Sequence, residues 1–257
     1  MRNHVVAKGG GVVLNRSIAF VAYLAILMRP GFAATAPEAR TIYFQSSGRQ
    51  VAVDFVRPAQ PGPHPKILLL CGRAGLSFYG PGFVQLSEKL TGAGFAVLVP
   101  HYFDASGSPD SPEVTADRFE TWRKALEDAL AFTAGLPDVD PRRIGVVGVS
   151  LGGFLAAVEA VQDDRVAALV SESAGVSTWF PAHPTRMAPL LIVHSREDAT
   201  VPLSDAEHLA EIAWSFRVEP ELALYNGRQH VLTGDAARSA DERIVDFLAR
   251  VLRPATH

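Results

Sequence analysis

From residue 41 onward the apolar positions follow two periods, and each change of period marks an element. In "TIYFQSSGRQVAVDFV" (41–56), apolar and polar residues alternate on both sides of a Ser-Gly pair, which predicts two strands joined as an antiparallel hairpin. Six short apolar runs follow: "KILLLC" (66–71), "FAVLVP" (95–100), "IGVVGV" (144–149), "VAALVS" (166–171), "LLIVHS" (190–195) and "ELALY" (221–225). Runs this short and this apolar suit strands buried on both faces. Between them the spacing shifts to three and four. Phe119, Trp122, Leu126, Ala129, Leu130 and Thr133 share one helical face, and Ile244, Phe247, Leu248 and Val251 share another within "DERIVDFLARVL". Leu209, Ile212, Ala213 and Phe216 form a third, with Ser204 and Glu207 at capping-box spacing ahead of it.

Strands alternating with helices predict an α/β fold. The expected sheet is mostly parallel, with the N-terminal hairpin antiparallel and helices on both faces. Reactive side chains in such a sheet gather beyond the carboxyl ends of its strands. No linker interrupts the pattern after residue 40, so residues 34–257 read as a single domain.

Residues 1–33 follow another pattern. Arg2, His4, Lys8 and Arg16 precede the apolar run "IAFVAYLAILM" (18–28), which Pro30, Gly31 and the small residues of "GFAATA" follow. A basic start, an apolar core and a small-residue exit describe a secretory signal peptide. Cleavage after Ala33 suits it, because cutting after Ala36 would leave Pro37 directly behind the scissile bond. The apolar run falls short of the roughly 20 residues of a bilayer span. The chain is therefore expected to be secreted or periplasmic, with an uncleaved N-terminal membrane anchor as the alternative.

Composition narrows the function. The formal charge of −3 and the lack of a basic stripe exclude an electrostatic case for nucleic acid. A lone cysteine, Cys71, excludes an intramolecular disulfide and a cysteine-rich zinc site.

The candidate chemistry lies in "RRIGVVGVSLGGFLAA" (142–157), where Gly148, Ser150 and Gly152 form a Gly-x-Ser-x-Gly pattern between a buried strand and a helix. Two glycines in the first turn weaken a helix by roughly 1 kcal/mol each, so this opening serves something other than helix stability. A nucleophile elbow is such a purpose, since it lifts a strained serine hydroxyl to the sheet edge. Serine then needs a base, and the base an orienting carboxylate, in the chain order Ser, acid, His. Asp198 follows the strand "LLIVHS" in "REDATVP", with Glu197 as its competitor. Among the eight histidines, His230 in "NGRQHVLTG" satisfies both order and location. Oxyanion donors are expected from the backbone amides of Leu151, directly after the nucleophile, and Arg73, in the loop after the third strand.

These segments together resemble the α/β-hydrolase superfamily, and within it the dienelactone hydrolase family. The resemblance spans residues 40–255 and rests on "LLLCGRAGLS", "GFAVLVPHYFD", "DPRRIGVVGVSLGG", "SREDATVP" and "YNGRQH". It implies Ser150, Asp198 and His230 as a catalytic triad, the Leu151 and Arg73 amides as the oxyanion hole, and no metal or organic cofactor. Two departures stand out. The dienelactone hydrolases proper carry a cysteine nucleophile where this chain has Ser150, and a glutamate where it has Gly72. Both point to a serine esterase acting on a small-molecule ester or lactone. Lactone, thioester or peptide cleavage and acyl transfer would use the same triad, and a non-catalytic binding module is the alternative of another class. The segment 172–189 is too short for a helical lid, so His101, Phe103, Trp179, Phe180 and Tyr79 are candidates for the pocket wall. For each, packing within the loops is the competing explanation, and Cys71 reads as a buried hydrophobe.

Cleavage after Ala33 predicts a mature chain beginning at Ala34. Intact mass of the exported protein checks it, and residues 1–33 still attached to soluble cytoplasmic protein would contradict it.

Overall fold

The computed structural model describes residues 38–137 and 143–252. The expected leader and its cleavage point lie outside the described residues. Ser47 and Gly48, both at positive φ (50° and 73°), form a two-residue turn that joins β1 (Glu38–Ser46) to β2 (Arg49–Arg57). That turn twists with its strands and fixes the register of the hairpin. The apolar runs become β3 (Lys66–Leu70), β4 (Ala96–Pro100), β5 (Ile144–Val149), β6 (Val166–Glu172), β7 (Leu190–Ser195) and β8 (Glu221–Tyr225).

All eight belong to one sheet in the order β1-β2-β4-β3-β5-β6-β7-β8. The pairs β1–β2 and β2–β4 are antiparallel, and the rest are parallel. Every residue of β3, β4, β5 and β7 is buried, which is why these strands read as continuous apolar runs.

Five helices cover the sheet among the described residues: α1 (Leu76–Gly92), α2 (Ala116–Ala134), α3 (Leu151–Ala160), α4 (Leu203–Ser215) and α5 (Gly234–Leu252). Helices α1 and α5 pack together on one side, and α2 packs on α3. No helix among the described residues is long and apolar enough to cross a membrane.

The structure differs from the sequence expectations at four elements. Strand β8, expected to be buried on both faces, is the edge of the sheet, and of its residues only Ala223 is buried. Helix α1 was hidden by its Gly80-Pro81-Gly82 stretch, which reads as a breaker and removes the N–H that would bond the Ser77 carbonyl. The helix continues because Pro81 and Gly82 face solvent while Tyr79, Phe83, Val84, Leu86 and Leu90 are buried. The capping box at Ser204 and Glu207 does not form: Pro202 is the cap of α4, without a side-chain cap bond, and Ser204 lies inside the helix. Pro202 has the extended ψ of a cap residue (143°), so the helix opens at Leu203, one residue ahead of the serine. Helix α5 begins at Gly234 rather than Asp241, because its first turns lie at the surface, where no apolar stripe announces them.

Candidate active site

The end of β5 and the start of α3 meet with no room for side chains. A Cβ on Gly148 would lie 2.3 Å from the Gly152 carbonyl oxygen, and one on Gly152 would lie 2.4 Å from the Leu70 carbonyl oxygen of β3. Ser150 stands between them at φ 52° and ψ −118°, a conformation that serine adopts only when its surroundings impose it. Its N–H donates to the Glu172 carbonyl at the end of β6, 2.9 Å away. The turn is thus clamped by backbone on both sides, and the hydroxyl projects from the carboxyl edge of the sheet.

The loop after β8 brings His230 to that hydroxyl, with Nε2 2.8 Å from Ser150 Oγ. Its Nδ1 lies 2.8 Å from Oδ2 of Asp198, in the loop after β7. The Asp198 side chain is fully buried, and Oδ1 accepts the Thr200 and Val201 backbone N–H groups at 2.7 and 3.0 Å. Burial alone would raise its pKa. The bonds from His230, Thr200 and Val201 outweigh that effect and hold the carboxyl below its ordinary value. Glu197, one residue earlier, is exposed. The hydroxyl, imidazole and carboxylate form one continuous chain of hydrogen bonds.

Leu151 is the first residue of α3, so its N–H has no acceptor within the helix and points out of the helix start beside Ser150. Arg73 follows β3 in a loop held on two sides. The Tyr102 hydroxyl donates to the Cys71 carbonyl (2.7 Å), and the Ser111 N–H donates to the Arg73 carbonyl (2.8 Å). A Cβ on Gly72 would lie 2.3 Å from the Tyr79 hydroxyl, so α1 fills the space that a side chain at 72 would need. Burial pushes the Cys71 thiol up to about 12, which leaves it protonated and inert.

The candidate wall residues disperse. His101 is buried and turned toward β2, with Nε2 2.8 Å from Asp54 Oδ2, so it does not reach the Ser150 hydroxyl. Phe103 is buried between Tyr102 and Trp122, at ring-centroid distances of 4.5 and 5.0 Å, and serves the core. Trp179 stacks on Phe119 of α2 at 4.7 Å and keeps 37% of its surface exposed. No three or more His, Cys, Asp or Glu side chains among the described residues are arranged to hold a metal ion. Glu172 and Ser173 belong to no catalytic motif, and His194 precedes the acid in the chain and so fails the order required of the base, yet all three lie beside the hydrogen-bond chain. None falls in a recognisable motif, although all three stand at the ends of predicted strands, where reactive groups gather.

The sequence model of the dienelactone hydrolase family matches residues 51–251. A Synechocystis sp. chain whose name places it among the carboxymethylenebutenolidases is 21% identical over 201 residues, covering 70% of this chain and 80% of its own length. The mitochondrial acyl-coenzyme A thioesterase 2 of Rattus norvegicus is 32% identical over 109 residues, or 42% of this chain and 21% of that protein. Among solved structures, a thermostable carboxylesterase cloned from a metagenomic library superposes with a TM-score of 0.70 at 19% identity, covering 93% of this chain and 96% of its own. That likeness carries the α/β-hydrolase fold alone.

Glu172 lines a pocket of about 190 Å³ between α1 and α5, together with Tyr79, Phe83, Val149, Leu232 and Asp241. Burial, and then the charge of Asp241, raise its carboxyl from the ordinary 4.5 to about 7. Between those two values the unfolded chain has released a proton that the folded chain still holds. Stability therefore falls as pH rises through that window and stays at the lower level above it. Glu172→Gln removes the titration and is expected to be more stable than the parent at pH 8, by on the order of 2 kcal/mol, and equal to it near pH 4.5. Urea unfolding at the two pH values checks this; an unchanged difference between them would contradict the raised carboxyl.

Proposed function

This chain belongs to the dienelactone hydrolase family, and from that premise we propose that it is a serine hydrolase cleaving small carboxylic esters through an acyl-enzyme. The observation that carries the proposal is the chain of 2.8 Å contacts from a strained Ser150 through His230 to a buried Asp198. In this mechanism Ser150 Oγ attacks the ester carbonyl while its proton passes to His230 Nε2. Asp198 holds Nδ1–H, fixing the tautomer and stabilising the imidazolium that forms. The carbonyl oxygen becomes an anion between the Leu151 and Arg73 amides, where losing one donor typically costs about 2.7–4 kcal/mol of transition-state stabilisation. Collapse of this intermediate breaks the bond to the alcohol, which leaves with the proton from His230. Water then repeats the cycle on the acyl-enzyme, with His230 as base, and frees the acid.

An ester is favoured over a dienelactone because two features differ together. The nucleophile is a hydroxyl, which needs the imidazole as its base, and the Tyr79 ring fills the space beside Gly72 where the family's cysteine enzymes place a glutamate. A lactone would follow the same steps with its alcohol still tethered, and thioester or peptide cleavage and acyl transfer need no other machinery. A binding module has no need of nucleophile, base and acid in hydrogen-bonded sequence.

Treatment with a fluorophosphonate is expected to add one adduct to the parent protein and none to Ser150→Ala, read as intact mass. Ester turnover surviving in Ser150→Ala would overturn the assignment. Asp198→Asn is expected to lower kcat on a p-nitrophenyl ester by about 10³–10⁴-fold. Glu197→Gln should leave it within about threefold, and a larger loss there than in Asp198→Asn would give the acid's role to Glu197.

A further inference from the structure

Two buried polar residues support the acid and the base from below, and each carries a cost that the fold does not require. Ser173, directly after β6, is fully buried at φ 48°, in the left-handed region that favours glycine. Its N–H donates to the Val193 carbonyl (2.8 Å), and its hydroxyl donates to the main-chain carbonyl of His230 (2.5 Å). His194, in β7, is also fully buried. Its Nε2 lies 3.1 Å from the Val201 carbonyl, which can only accept, so Nε2 carries the proton. The same nitrogen is 3.7 Å from Asp198 Oδ2, and the Val201 N–H donates to Asp198 Oδ1. His194 therefore ties down the turn that orients the carboxylate. Its other nitrogen, Nδ1, is buried without a hydrogen-bond partner among the described residues.

Glycine at 173 would relieve the backbone, and an apolar residue at 194 would remove the orphaned nitrogen. Neither side chain is what stability alone selects. What each supplies is a fixed point: one on the backbone of the base, the other on the loop of the acid. Imidazole and carboxylate then meet Ser150 in register before any substrate arrives.

We propose that Ser173 and His194 are positioning residues for this acid–base pair, Ser173 through the His230 backbone and His194 through the Asp198 turn. The inference rests on the Ser150–His230–Asp198 reading above. It is tested by measuring kcat, KM and melting temperature for Ser173→Gly, Ser173→Ala, His194→Leu and His194→Gln with p-nitrophenyl acetate, alongside fluorophosphonate labelling of the parent. Ser173→Gly is expected to melt at or above the parent temperature while kcat falls about tenfold to a hundredfold and KM stays within about twofold. His194→Gln, whose amide nitrogen reproduces the Nε2–H, should keep kcat within about threefold, and His194→Leu should lose about tenfold. Ser173→Ala, which keeps the backbone strain and loses the hydroxyl, should show the same kcat loss with a lower melting temperature, so the inference stays testable if one variant folds poorly. Parental kcat in both Ser173→Gly and His194→Leu, or equal losses in His194→Leu and His194→Gln, would overturn it. A parent protein that takes no label would instead remove the Ser150–His230–Asp198 reading, and this inference with it.

Discussion

The site depends on one steric constraint, the contact of three backbones with no side chain between them. The start of α3 lies against the end of β5 and against the Leu70 carbonyl of β3, at separations that exclude a Cβ on Gly148 or Gly152. That approach forces Ser150 into its strained conformation and exposes the first N–H groups of α3 beside its hydroxyl. It also explains why β3 and β5 must be paired neighbours, since the helix rests on both. A side chain at either glycine would push α3 away and dissolve the turn, the position of the Leu151 amide and that of the Ser150 hydroxyl together.

Around this contact the protein places polar groups with unequal environments. The carboxylate of Asp198 is buried but surrounded by donors, so it remains ionised. The carboxyl of Glu172, on the neighbouring strand, is half-buried in a pocket beside another acid, and its pKa rises instead. The two carboxyl groups shift in opposite directions because one receives N–H groups and the other faces a second acid. The main chain of Glu172 is needed whatever its side chain does, because its carbonyl holds the Ser150 N–H.

The loop after β3 shows how a change at one residue reaches across an element. Gly72 leaves a space that Tyr79 enters from α1, while Tyr102 anchors the preceding Cys71 carbonyl from the other side. The pair fixes the backbone that presents the Arg73 amide without any charged side chain in that position.

The strand segments, the glycines flanking Ser150 and the succession Ser150, Asp198, His230 were legible along the chain, because periodicity, missing side chains and position after a strand are local properties. The sheet was legible for the same reason, since strands buried on both faces must be continuously apolar. Helix α1 was not, because packing of Tyr79, Phe83 and Leu90 overrides a proline that locally forbids a regular helix. Nor was the fate of His101, whose partner Asp54 lies on another strand and draws the ring away from the site. Ser173 and His194 carry no motif; the Ser173 contact to the His230 carbonyl exists only once the loops after β6 and β8 converge, and the His194 contact to Val201 depends on the shape of the turn after β7. The sequence by itself determined which residue types stand at the strand ends and in what order. Only the tertiary structure decided which of them touch, because hydrogen bonds over 2.5–2.8 Å are set by the packing of distant segments and leave no periodic trace in the chain.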